Sequence, residues 1–195
     1  MRIALIGPPG SGKTTIAKSL ARRLGGLRVS FAAALREELA RGIAKGDPQL
    51  TRLYARLMED PATKGRWRSL LQSWGTMRRQ EDERYWLYQA EQKIRTAISV
   101  FVDDARMDNE RELLLEHGFR FVRLAPNPGA PLLTEQQAEH SSEQDWKSWP
   151  ADLELPFEPG PDQQADKILK HYAKEPKAWN TAPYIQLLSD SSELS

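Results

Sequence analysis

At 195 residues, 39% hydrophobic and 28% charged, the chain has the length and composition of one folded domain with a sizeable core. It holds no cysteine, which excludes a disulfide framework and thiolate metal sites, and no apolar run near the ~20 residues that span a bilayer, which excludes a transmembrane helix. The net charge of +1 conceals a division: residues 1–100 sum to +10 and residues 101–195 to −9, so either a polyanion meets the basic half or opposite charges pair across the fold.

Residues 2–6 (Arg-Ile-Ala-Leu-Ile) are a short apolar run leading into a Gly/Pro-rich loop, which predicts a buried parallel strand. The run is too short for a signal peptide, and together with the absence of cysteine this points to the cytoplasm. Residues 14–24 set Ile16, Leu20 and Leu24 on one face with Lys18 and Arg22 elsewhere, which is helical spacing, and Gly25-Gly26 stops the helix. A second strand is predicted at 27–31.

Residues 33–98 read as almost wholly helical. Helices are predicted at 33–44, 50–58, 66–79 and 82–97, with boundaries at Gly46-Asp47-Pro48, at Pro61 and around Gly75. A strand follows at 98–103, a helix at 109–117 ended by Gly118, and a strand at 119–124. The proline-rich stretch 126–161 is expected to be loop, pinned by Trp146 and Trp149 and holding a strand at 153–157; a closing helix covers 163–174. Strand and helix in alternation predict a parallel sheet covered on both faces. The sheet does not require the helical stretch, which is expected to act as a flap over a ligand. The reading is therefore a single domain over 1–174, with core 1–32 and 98–174, a helical insert at 33–97, and a mobile tail at 175–195.

Gly7-Pro8-Pro9-Gly10-Ser11-Gly12-Lys13-Thr14 matches the phosphate-binding pattern G-x-x-x-x-G-K-[ST] at every fixed position, between a predicted strand and a predicted helix. Glycines let such a loop fold tightly, so that backbone N–H groups converge on phosphate oxygens, and the helix that follows adds the positive end of its dipole. Lys13 reaches the β- and γ-phosphates and Thr14 offers its hydroxyl to Mg²⁺. Gly7, Gly10, Ser11, Gly12 and Thr15 complete the set expected to hold ATP. Val100-Phe101-Val102 ends in Asp103-Asp104, and a carboxylate at that end of a strand beside the loop can hold Mg²⁺ through water; either aspartate could serve. The three histidines, His117, His140 and His171, are too scattered to form a metal-ligand set.

Three further segments resemble those of the bacteriophage deoxynucleoside monophosphate kinases. Leu70-Leu71-Gln72-Ser73-Trp74-Gly75-Thr76-Met77-Arg78-Arg79, with Tyr85-Trp86 after it, is similar to that family's L-L-Q-x-x-G-T…R segment and aromatic pair. Asp104-Ala105-Arg106-Met107-Asp108-Asn109-Glu110 is similar to its D-x-R-f-x-N-E segment, and His140-Ser141-Ser142-Glu143 to its H-x-S-E segment. Animal-type phosphomevalonate kinase has a similar layout. One departure stands out: where the family shows A-D-P-L-[KR], this chain reads Ala32-Ala33-Ala34-Leu35-Arg36, keeping the basic residue and losing the aspartate.

The resemblance implies an α/β P-loop kinase fold: a five-stranded parallel sheet flanked by helices, with a helical acceptor-binding insert. The implied reaction is phosphoryl transfer from ATP, with Mg²⁺, to a deoxynucleoside monophosphate. Such an acceptor oxygen is already a nucleophile, so the site must chiefly neutralise charge and align groups, for which arginine is suited. Lys13, Asp104 and Arg106 are the expected catalytic set, with Thr14, Asp103 and Asp104 on the metal side. Arg106 is the first choice for the acceptor phosphate, unless it merely pairs with Glu110. Arg36, Gln72, Trp74, Arg78, Arg79 and Glu110 are the other expected acceptor residues; Gln72 could read a base edge and Trp74 could stack on one or belong to the core. The partners expected are a small nucleotide acceptor, with DNA as the alternative substrate and a hydroxyl on a modified base as its acceptor, and no membrane. A homodimer is compatible with this reading, as is a host-cell cytoplasm if the chain is phage-encoded. A third reading is a regulatory protein that binds a nucleoside triphosphate without transferring phosphate.

Overall fold

In the computed structural model, which describes residues 1–60, 62–130 and 145–173, the elements run β1 (Arg2–Ile6), α1 (Lys13–Leu24), β2 (Leu27–Val29), α2 (Phe31–Ile43), α3 (Pro48–Glu59), α4 (Lys64–Glu81), α5 (Tyr85–Arg95), β3 (Val100–Val102), α6 (Asp108–Glu116), β4 (Arg120–Leu124), β5 (Leu153–Leu155) and α7 (Pro161–Ala173). The five strands form one parallel sheet in the order β2-β3-β1-β4-β5. β1 lies at its centre because its five residues are buried on both faces, which only a strand with partners on each side and helices above and below can satisfy. Ile3 and Leu5 join Ile16 and Leu20 of α1 and Ile168 and Tyr172 of α7 in one cluster; Ala4 and Ile6, pointing the other way, are equally buried. The expected five-stranded parallel α/β sheet flanked by helices is what the chain forms.

Two compact units are distinguished. One comprises Met1–Val29 with the described residues from Lys93 on, and contains the sheet; the other is Ser30–Gln92, built from helices. In the helical unit Leu39, Ala40 and Met58 form a small core against which Tyr54, Trp67, Leu71 and Trp74 pack. Asp47 starts α3 by accepting the amides of Gln49 and Leu50, both at 2.8 Å, with Pro48 at the first helical position where its missing N–H costs nothing.

Several boundaries differ from expectation. β2 stops at Val29 because Ser30 already caps α2. β3 starts at Val100, since Ile98 is 85% exposed and cannot belong to a buried strand. Gly75 does not interrupt α4: the helix continues to Glu81. A Cβ on Gly75 would lie 3.4 Å from the Leu35 side chain and 3.2 Å from Arg79, so this glycine permits a close approach of helices rather than a turn. The tail at 175–195 and the His140–Glu143 motif lie outside the described residues.

Part of the charge division is paired within the fold. Arg22 and Arg23 at the end of α1 pair with Asp162 and Asp166 on α7, the Arg22–Asp162 contact being 3.2 Å. Arg120 pairs with Asp152 at 3.0 Å and Arg123 with Glu154 at 3.2 Å. Arg22 and Arg23 thus meet acidic residues of the second half, while Arg41 and Arg78 pair with glutamates of their own half, so pairing across the halves takes up part of the basic surplus.

Candidate active site

Residues 7–12 connect the C-terminal end of β1 to the N-terminus of α1. Gly7, Gly10 and Gly12 take φ values of 146°, 78° and 88°, a region that residues with a Cβ rarely enter. At Gly7 an added Cβ would also sit 2.6 Å from the Leu124 carbonyl oxygen, and at Gly10 2.6 Å from the Ala130 methyl. The loop is thus built at a density only glycine allows, with the segment after β4 laid against it and the Asn127 amide near the Gly10 carbonyl at 3.5 Å. α1 has no acidic residue in its first turn, so the positive end of its dipole stays available to an anion. Lys13 is buried over the loop, its Nζ donating to the carbonyls of Gly7 (2.7 Å) and Pro8 (2.6 Å) and to Ser11 Oγ (3.3 Å). Thr15 is exposed on the first turn of α1.

Asp103 follows β3 directly, and the Thr14 side chain is among the neighbours that act on its carboxylate. From β2, Arg28 donates through Nε to both carboxylate oxygens at 3.1 Å and approaches Oδ2 through a terminal nitrogen at 3.0 Å. Burial and the neighbouring Asp104 charge push the Asp103 carboxyl up, while Arg28 and Thr14 pull it down; the net direction is upward. Asp104, one residue on, is half-buried. Among the described residues no group of three or more His, Cys, Asp or Glu could hold a metal. The loop amides, the Thr14 hydroxyl and Asp103 fit a Mg²⁺ carried by phosphate oxygens instead, the form such an ion usually takes at nucleotide sites.

The profile of the AAA domain family matches residues 6–105, half of the chain. The chain belongs to the AAA domain family. The matched stretch of this AAA domain opens on the last residue of β1, takes in the phosphate loop and the helical unit, and closes just past Asp103-Asp104. No curated protein matches the chain. Among solved structures, shikimate kinase from Aquifex aeolicus VF5 is similar at 16% identity, over 91% of this chain and 99% of that one, with a TM-score of 0.46. Shikimate kinase from Acinetobacter baumannii in complex with shikimate is similar at 16% identity, over 90% and 94%, with a TM-score of 0.45.

Outside the loop, the predicted residues of the AAA domain chain fall into separate places. Arg106 and Glu110 are joined, through the backbone: Glu110 is 3% exposed and accepts the Arg106 amide at 2.7 Å and the Met107 amide at 3.1 Å. Glu110 therefore holds the turn that carries Arg106 through its Oε2, as the glutamate of a capping box does. Glu110→Ala should leave those two amides unpaired; we expect a loss of about 1 kcal/mol, read as a fall of about 2–4 °C in melting temperature, with weakened use of any acceptor that Arg106 grips.

The remaining residues are in the helical unit. Arg36 donates to Ser30 Oγ at 2.9 Å, and Gln72 is half-buried on α4. Trp74 packs on the small helical core and donates through Nε1 to Glu38 at 3.1 Å, so the core reading of this residue holds. Arg78 lies 5.4 Å from the Trp74 ring and 5.3 Å from the Tyr85 ring, and pairs with Glu38 and Glu81, both at 2.9 Å. Tyr85 also donates to Glu38, at 2.8 Å. Burial pushes the Glu38 carboxyl up, but the hydrogen bonds from Tyr85, Arg78 and Trp74 outweigh it and hold it below the ordinary range. Trp74, Arg78 and Tyr85, all within the motif segments, thus converge on a carboxylate that sequence reasoning did not single out. Arg28 was missed as well: a lone arginine in an apolar strand carries no local sign of a partner 75 residues away.

Proposed function

We propose that this chain transfers the γ-phosphoryl group of ATP, with Mg²⁺, to the phosphate of a deoxynucleoside monophosphate, giving ADP and the corresponding diphosphate. The observation that supports the reading is the loop itself: three glycines at positive φ, with the Lys13 ammonium held 2.6–3.3 Å from three loop oxygens. Mg²⁺, when bound, would neutralise and orient the triphosphate. Lys13 would stabilise charge on the transferring group, and the loop amides would hold the β-phosphate. Arg106, on the turn three residues past Asp103, is the acceptor-phosphate ligand, and its fixed positive fork needs no proton exchange to do this. Arg36, Arg79 and Gln72 are proposed to complete acceptor recognition. The reaction suits the cytoplasm, where ATP is supplied.

The test is ADP release on incubation with ATP·Mg²⁺ and, separately, each nucleoside monophosphate, duplex DNA, or no acceptor. Release with at least one monophosphate, above the acceptor-free rate, is the expected result. Release with DNA alone would move the acceptor to a hydroxyl group in DNA and overturn the monophosphate assignment.

A further inference from the structure

The sheet places a buried cation against the metal-side carboxylate. β2 and β3 pair in parallel with Arg28 opposite Phe101, so the Arg28 side chain runs along the strand direction to meet Asp103 two residues further on. The Asp103 side chain is 1% exposed and that of Arg28 19%. Two donor groups reach the carboxylate, Arg28 Nε and an Arg28 terminal nitrogen, and the Thr14 side chain acts on it as a near neighbour. A carboxylate has about four lone-pair sites, so these contacts take most of its acceptor capacity and fix its rotation about χ2.

We propose that Arg28 is a positioning residue for the Mg²⁺-bound nucleotide: its guanidinium fork locks Asp103 in the orientation that receives the Thr14 hydrogen, so that Thr14 turns an oxygen lone pair outward to the metal. A hydroxyl has one hydrogen and two lone pairs. Fixing where the hydrogen goes fixes where the lone pairs point. With both of its oxygens engaged by Arg28, Asp103 acts on the cation through Thr14 and through water rather than as a direct ligand. Arg28 also offsets the two adjacent negative charges of Asp103 and Asp104, which would otherwise repel the triphosphate. The proposal rests on the nucleotide-site part of the reading above and not on the acceptor.

The test measures ADP binding by calorimetry, with Mg²⁺ and with EDTA in its place, for the full chain and for Arg28→Met and Arg28→Lys. The quantity read is the ratio of the two dissociation constants, the Mg²⁺ enhancement. For the wild type we expect Mg²⁺ to tighten binding. Arg28→Met should lose most of that enhancement, by tenfold or more, while its affinity in EDTA, set by the loop amides and Lys13, changes less than threefold. Arg28→Lys, which keeps the charge and loses the fork, should fall between. An unchanged enhancement in folded Arg28→Met overturns the proposal, and a larger one would show that Arg28 competes with the metal, which overturns it too. Should the methionine variant fail to fold, Arg28→Lys carries the test, and wild-type enhancement there is the overturning result. No acceptor is present, so failure of the kinase assay does not disturb this measurement, whereas a wild type that binds no ADP removes the nucleotide site itself.

Discussion

Replacing Lys13 by alanine is expected to lower the rate of phosphoryl transfer by roughly two to three orders of magnitude, or about 2.7–4 kcal/mol of transition-state stabilisation, the scale observed when a preorganised donor is removed. The ammonium is buried and held within 2.6–3.3 Å of three loop oxygens, so its place is set before any phosphate arrives. Its contribution is greatest where charge develops on the transferring group, so the loss should appear in kcat more than in KM for ATP. Single-turnover kinetics on the folded variant would measure it. A Lys13→Ala protein that kept the full rate would sink the kinase reading, and one that kept full biological function without transfer would favour a nucleotide-binding regulator.

Phe101→Ala should produce the largest loss of stability. The ring is fully buried at the centre of β3, belongs to the main core cluster, and lies so close to Gly26 that a Cβ there would be 2.9 Å away. Deleting such a ring costs about 3–5 kcal/mol, part transfer and part cavity, against a total stability of about 5–15 kcal/mol. For a chain of this size that is a fall in melting temperature of about 6–20 °C. Nucleotide affinity should fall with it, because Asp103 stands only two residues further on, directly after the strand. Ile98→Ala is the control: the side chain is exposed, and its loss should change stability by no more than about 0.5 kcal/mol. A Phe101→Ala chain that melts like the Ile98→Ala chain would contradict the account of the core.

What the sequence revealed and what it hid divide along the length scale of the interactions. The strand, loop and α1 were legible because glycine placement, apolar alternation and the Gly-Lys-Thr ending are local constraints. The sheet followed from strands separated by helices. Gly75 misled because the usual meaning of glycine is conformational, whereas in α4 it makes room for Leu35. Trp74 read as a base-stacking or core residue and Arg78 as an acceptor ligand, and neither reading pointed to Glu38, 36 and 40 residues away, which binds both. Glu110 belongs to a motif associated with the acceptor, and the fold adds a local task, since its Oε2 accepts the amides of Arg106 and Met107. Asp103 and Asp104 read alike in the sequence, and only the fold shows that Arg28 of the neighbouring strand pairs with Asp103.

The central strand also sets a timetable for biosynthesis. β1 is made first, but its partners begin at Val100 and Arg120, and the helix that completes the cluster over Ile16 and Leu20 ends at Ala173. At about 5–20 residues per second, the nascent loop waits at least several seconds on the ribosome before its strand has a neighbour. The most apolar segment of the site is therefore synthesised well before the strands that shelter it, and the capacity to grip a nucleotide waits on residues made about a hundred positions later.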